Sequence, residues 1–305
     1  MSDFVQQNAS PTEFNSSDSW VVLTPIELSI KRKIESVGVP LKDWDIQINY
    51  GIKTGFNDAF IVTTETRDQI LANCKDDDER ERTAELIRPI LRGRDIKRYG
   101  YEWAGLYLIA TFPSRHYDIE EYPAVKEYLL SFGMERLEQT GKEYVVDGQK
   151  VKARKKTNNK WFETQDSISY WDDFSKPKIM YSNMTKFLPF YYDEKGFYQN
   201  DKSFMITGER IAFLTAFLNS SLFKKCFIDN FPELQGGTRE LRKIFFDKIP
   251  VIQVDQDVNE EFRAILGQMQ TQWDKNIAIR IDQKIFDLYG LTKEEREVIG
   301  FIEIQ

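Results

Sequence analysis

The apolar positions of this chain change period repeatedly, and each change marks an expected element. Ile26, Ile30, Ile34 and Val37 recur at helical spacing over residues 25–37, and Gly38-Val39-Pro40 ends the run. Residues 45–50 alternate with a period of two and predict a strand. Gly51-Ile52-Lys53-Thr54-Gly55 then turns the chain toward a second strand over 59–63. A charged helix is expected over 76–87, a buried strand over 106–111, and a helix over 120–139 with Val125, Tyr128, Leu129, Phe132 and Leu137 on one side. Residues 141–159 read as a polar linker. Strands follow over 178–182, 188–192 and 196–206. Two apolar helices over 208–217 and 221–228 meet at Asn219-Ser220, with Phe213, Phe217, Leu218, Leu222 and Phe227 as core and Cys226 as a small core filler. Gln235-Gly236-Gly237-Thr238-Arg239 is a flexible turn before a strand near 249–254. From Asn259 onward the pattern is helical, and Thr292 with Glu295 is a capping-box pair opening the last helix.

Helices and strands alternate irregularly, which predicts a mixed α/β (α+β) fold: a mixed sheet flanked by helices, with a helical C-terminal tail. Residues 1–19 are polar and aperiodic and read as a disordered lead-in. A main domain over 20–255 and a helical extension over 256–305 follow. A featureless start of this kind also fits a piece cut from a longer protein.

Charge is distributed unevenly. The chain carries a formal net charge of −7, yet Arg80, Arg82, Arg88, Arg92, Arg94, Lys97 and Arg98 stand against only Glu81, Glu85 and Asp95. A basic island on an acidic chain points to a polyanion partner for one face. Pro89 and Gly93 are expected to break this run and spread its cations over a loop. A second run, from Lys150 to Lys160, has six cations and no anion. Aromatic residues make up 14% of the chain, more than a core of this size needs, and the surplus is expected to serve stacking or interfaces.

Most catalytic chemistry is missing. His116 is the only histidine, which removes the usual base of hydrolytic triads and multi-histidine metal sites. There is no phosphate-binding glycine loop, no Pro-Pro pair and no Pro-Asp pair. Asp193-Glu194-Lys195, with Asp172 and Asp173 upstream, matches a magnesium nuclease only loosely, and an acidic turn explains it better. The two cysteines, Cys74 and Cys226, suggest neither a zinc cluster nor a disulfide framework. With no signal peptide and no long apolar run, a cytoplasmic protein with no membrane partner is expected.

Four blocks carry a family resemblance: residues 41–60, the Ile87-Arg-Pro-Ile-Leu-Arg-Gly-Arg-Asp-Ile96 block, Lys160-Trp161 with Lys176-Pro-Lys-Ile179, and residues 214–222 leading to Gly236-Gly237 and Lys248-Ile-Pro250. Residues 281–295 are also similar to how these proteins end. The chain resembles the C-terminal target-recognition domain of TaqI-like, type IIG restriction-modification adenine methyltransferases. That resemblance implies sequence-specific recognition of double-stranded DNA, with residues 20–255 as the recognition domain. It also implies a separate or upstream methyltransferase domain or subunit as partner, because the Asn-Pro-Pro-aromatic motif is absent here. S-adenosylmethionine is expected in that missing domain alone, and no catalytic or metal-ligating residue is expected in this chain.

The side chains expected at the DNA are Lys53 and Thr54 in the glycine-flanked turn, Arg88, Arg92, Arg94, Lys97 and Arg98 in the basic island, Lys155, Lys156, Lys160 and Trp161 in the second run, and Arg239, Arg242 and Lys243 after the double glycine. Each has a plainer reading: Asp95 can pair with an arginine to brace its turn, and both glycine turns can be ordinary connections. The competing function is a protein–protein docking subunit that binds a methyltransferase partner and touches DNA secondarily.

Overall fold

Local capping sets the first helix. The Thr24 side chain accepts the Glu27 amide at 3.3 Å, Glu27 accepts the Thr24 amide at 3.0 Å, and Pro25 fills the first helical position. The helix runs Pro25–Val37, as the spacing predicts, and buries Ile30 and Ile34. This computed structural model describes residues 23–186 and 188–302, so the expected disordered lead-in over 1–19 lies outside the described residues.

The chain divides into two compact units, each made of discontinuous segments. One comprises the described residues up to Gln47, Met184–Phe190 and those from Gly208 on; the other comprises Ile48–Asn183 and Tyr191–Thr207. The expected boundary at residue 255 is not where the chain divides. The C-terminal helices belong to the same unit as the first helix, and the tie between them is concrete: Ser29 and Lys33 both donate to Glu295, each at 2.7 Å.

The first unit is largely helical. Its helices include Ile211–Leu218, Ser221–Phe227, Gln256–Thr271, Lys275–Leu288 and Lys293–Ile299. The last opens with the capping box that its sequence predicts, Thr292 with Glu295. Ile211–Leu218 is buried along its whole length. Two buried polar side chains orient the helices around it: Asn259 accepts the Phe213 amide at 3.1 Å, and Asp282 accepts the Ser221 amide at 2.8 Å. Phe190, Phe213, Phe217, Phe223, Phe231 and Phe246 are all fully buried here. The aromatic surplus therefore fills cores more than it serves a surface. Among the described aromatics, only Tyr50, Trp103, Trp273 and Phe301 count as exposed.

The second unit carries most of the strands. Tyr198–Gln199, Ile87–Leu91, Leu106–Ile109 and Ile61–Thr63 form one sheet in that order. Lys178–Ser182 pairs antiparallel with Tyr191–Asp193 on one side and with Ser203–Gly208 on the other. Pro89 does not break the basic run as expected; it lies inside the strand Ile87–Leu91. The strand tolerates it because antiparallel pairing with Leu106–Ile109 ends at Pro89–Tyr107, and parallel pairing with Tyr198 begins at Ile90. The helix expected over 120–139 is two pieces, Pro123–Leu130 and Met134–Leu137, separated by Gly133 at φ 85°.

Residues 141–159 are not a plain linker. Glu143–Val146 and Gln149–Lys152 form a two-stranded antiparallel hairpin whose turn is Asp147-Gly148, both with positive φ. An Asp-Gly pair at that position is the residue choice such a tight turn favours.

Candidate nucleic-acid interface

Three loops of the second unit lock together around Asn200. The Ile52 amide donates to the Gln199 carbonyl at 2.8 Å, and the Asp201 amide returns to the Ile52 carbonyl at 3.0 Å. The Gly93 amide donates to the Asn200 side-chain oxygen at 3.2 Å, and the Asn200 amide to the Leu91 carbonyl, also at 3.2 Å. Glycine is required at two of these crossings. A Cβ on Gly51 would lie 2.0 Å from the Asn200 carbonyl oxygen, and one on Gly93 would lie 2.7 Å from that of Lys202. Lys53, Arg94 and Lys202 thus sit on three loops with a common hydrogen-bonded root.

Arg154 holds the next group of loops. It is 4% exposed, and its guanidinium donates to four main-chain carbonyls: Leu137 at 2.8 Å, Thr54 at 3.0 Å, Glu163 at 2.7 Å, and Trp161. Burial pushes this guanidinium down to about 10, with the nearby Glu163 charge opposing the shift, so it remains a cation at neutral pH. The Gln165 amide donates to the Lys53 carbonyl at 3.1 Å, joining the Arg154 group to the Asn200 group. Beside that junction burial raises the Asp166 carboxyl above its ordinary value, while Lys53 pulls it back.

The expected site residues divide into distinct groups. Lys53, Arg94, Lys155, Lys156 and Lys160 are exposed on these connected loops. Lys53, Arg94, Lys155 and Lys156 form no ion pair among the described residues; Lys160 lies 5.5 Å from the Phe162 ring centroid. Trp161 is half-buried against the core and anchors its loop through the carbonyl that Arg154 holds. Lys97 is exposed and 3.4 Å from Glu102. Arg98 is half-buried, with its guanidinium 5.2 Å from the Tyr99 ring centroid.

The remaining expected residues have partners within the chain. Thr54 is 1% exposed, and its hydroxyl accepts the Phe56 amide and donates to Asn57, so it shapes the turn instead of facing a ligand. Arg92 is committed to Asp95: Nε and Nη2 meet the two carboxylate oxygens at 2.9 and 2.8 Å, and the Arg92 amide also donates to Asp95. Arg88 belongs to a strand, half-buried, with its guanidinium 5.8 Å from the Tyr198 ring centroid. In the first unit Arg239 bonds Asp229, Glu233 and the Phe231 carbonyl, Arg242 pairs with Glu240, and Lys243 with Asp247. Those three brace their own hairpin and helix. Arg154 and Lys202 were not singled out from the sequence. Arg154 stood among five other cations with nothing to mark it as buried, and Lys202, whose ammonium lies 3.6 Å from Asp201, owes its place to distant pairing.

The acidic triplet near residue 193 is also structural. Asp193 and Lys178 are fully buried and paired at 2.5 Å, and Asp193 also accepts the amides of Lys195 and Phe197. Burial pushes the Lys178 amine down against the pull of Asp193. No group of three or more His, Cys, Asp or Glu side chains is placed to hold a metal ion among the described residues. Among them, no single helix is long and apolar enough to cross a membrane.

Comparison with known proteins places this geometry. The chain is 22% identical over 290 residues to the type II methyltransferase M.PaeR7I of Pseudomonas aeruginosa, covering 94% of this chain and 45% of that protein. It therefore spans less than half the length of this relative. Its fold is similar to part of the type IIL restriction-modification enzyme MmeI, solved in complex with DNA: TM-score 0.54, 13% identity, 83% of this chain and 34% of that one. The type IIG restriction endonuclease BpuSI aligns over 88% of this chain and 34% of its own, at TM-score 0.48 and 12% identity. The model of the TaqI-like C-terminal specificity domain matches residues 88–251, more than half of the 305 residues, and the chain belongs to that family.

Proposed function

We infer that this chain is the sequence-specific double-stranded DNA recognition module of a type II, IIG-like restriction-modification adenine methyltransferase. Methylation and S-adenosylmethionine binding belong to a methyltransferase domain or subunit outside this chain. The observation that carries the reading is the set of six exposed cations, Lys53, Arg94, Lys155, Lys156, Lys160 and Lys202, on loops held by one hydrogen-bond network. Phosphate contacts from such cations set register on a duplex, and a smaller set of side chains reads base edges.

Fluorescence anisotropy of the chain on duplex DNA across a salt series tests this. Contact with six to eight phosphates gives a slope of log affinity against log salt of about −5 to −7. A salt-insensitive chain that does not bind DNA favours the docking-subunit reading instead. One observation points to a protein contact in the first unit: Met184 and Leu234 share one exposed face of the small sheet of Met184–Thr185, Thr238–Glu240 and Glu233–Leu234. Arg239 of these strands is paired with Asp229 and Glu233, and two adjacent apolar side chains suit a protein surface better than a phosphate backbone.

A further inference from the structure

We propose that the hairpin Glu143–Val146/Gln149–Lys152 is a major-groove reading ribbon, with Val145 and Lys150 as the side chains that meet base edges. This rests on the DNA-recognition reading and names the element that would supply its specificity.

The first observation is the two-sidedness of the ribbon. Cross-strand partners share a face, and the register pairs Glu143 with Lys152 and Val145 with Lys150. That face is open: Val145 is 73% exposed, the highest among the exposed large hydrophobic residues, and Lys150 and Lys152 are exposed beside it. The opposite face, carrying Tyr144, Val146 and Val151, is half-buried. Val145 stands opposite Lys150 near the tip, and Glu143 and Lys152 oppose each other at the base; the apolar and cationic tip is complementary to a groove floor of base edges and thymine methyls walled by phosphates.

The second observation is size. The two strands lie about 5 Å apart and their four residue pairs span about 10 Å. A two-stranded ribbon is narrow enough to enter a major groove roughly 12 Å wide.

The third is the mounting. A free two-stranded hairpin is marginal in water, yet this one is fixed at its base. The Ala153 amide donates to the Lys142 carbonyl at 2.9 Å, the Gly141 amide to the Arg154 carbonyl at 2.8 Å, and the Tyr144 hydroxyl to Glu138 at 2.6 Å. The ribbon therefore leaves the frame at Arg154, the residue that also holds the Lys53 turn. A reading element needs such a rigid root, because base contacts tolerate little positional error. Lys155 and Lys156 follow directly and are placed for phosphate contact, which separates a reading role in the ribbon from a positioning role next to it.

The test is selection of bound duplexes from a random pool, followed by binding of the selected duplex. The proteins are the full chain, Val145→Ser, Lys150→Ala, and the pair Lys155→Ala with Lys156→Ala. The wild type is expected to select a motif. The ribbon variants are expected to lose preference at one or two adjacent positions, by about 5- to 150-fold per position. The lysine pair is expected to keep the motif and bind every sequence more weakly. A second measurement uses the wild type alone: methylating guanine N7 or replacing thymine by uracil at the positions lost in the variants should weaken binding. Ribbon variants that select the wild-type motif, or wild-type binding indifferent to both base changes, overturn the ribbon and leave DNA recognition standing. A wild type that selects no sequence overturns the recognition reading and the ribbon together.

Discussion

Arg92 and Asp95 grip each other through both side-chain oxygens while Asp95 also accepts the Arg92 amide, so a three-residue turn is closed by one carboxylate. One of the arginines expected at the DNA is thereby bound within its own loop. Its neighbour Arg94, two residues on, is exposed and pairs with no carboxylate among the described residues.

The two arginines should separate in experiment. Arg92→Ala leaves Asp95 nearly buried and unpaired and should cost about 1–3 kcal/mol of stability, seen as a lower melting temperature. Arg94→Ala should leave the melting temperature unchanged and weaken duplex binding in anisotropy. A thermally silent Arg92→Ala that loses DNA binding would reverse these roles.

Arg154→Lys should be almost as damaging as Arg154→Ala, because one ammonium cannot reach four carbonyls set around a planar fork. Leaving buried carbonyls unmet should cost roughly 1–3 kcal/mol for each. Denaturant unfolding reads the loss, and protection of the Thr54–Asn57 turn in amide exchange should fall first. Equal stability of the lysine variant and the wild type would contradict the clamp.

Acid should loosen the tie between the first and last helices of the first unit. Burial tends to raise the Glu295 carboxyl, but hydrogen bonds from Lys33, Ser29 and the Thr292 amide outweigh it and hold the group below its ordinary value. A folded value below the unfolded one means the contribution is fully present above the unfolded carboxylate range and is lost as pH falls through the folded value. Melting temperatures of the wild type and Glu295→Gln should therefore differ at neutral pH and converge in acid. A difference that persists below the folded value would assign the effect to packing instead.

Lys178 and Asp193 make a fully buried pair. Lys178→Met should destabilise by about 3–5 kcal/mol, whereas Lys178→Met with Asp193→Leu should recover much of that loss. Chemical denaturation of the two variants measures it. A double variant as unstable as the single would show that the remaining amide contacts of Asp193 carry the turn.

How much the sequence foretold depended on how local the cause was. The first helix and its stop at Gly38 are written in apolar spacing, and the last helix start in Thr292 and Glu295; both stand as expected. The hairpin was also legible, since Tyr144-Val-Val-Asp-Gly-Gln-Lys-Val151 holds a turn pair between β-forming residues, but the density of lysines drew the reading toward a linker. Pro89 was misread because its effect depends on a change of strand partner that only tertiary pairing reveals. Nothing local distinguishes Arg154 from Lys155, yet one is buried and the other exposed. In the candidate site, Lys53, Arg94, Lys155, Lys156 and Lys160 lie where a charge argument puts them, on open loops. Thr54 and Arg92 do not, because their partners Asn57 and Asp95 lie three residues on and compete at no entropic disadvantage.

The acceptors chosen by Arg154 have a consequence for how such a module diverges. All four are peptide oxygens, which every amino acid supplies, so the fastening is blind to side-chain identity. Residues on the turns it secures can be exchanged without unfastening them, provided the main chain keeps its path. On the proposed recognition role, a lineage could thus change its target sequence by rewriting the hairpin face, and its affinity by rewriting Lys53 or Lys160, while the underlying geometry is inherited intact.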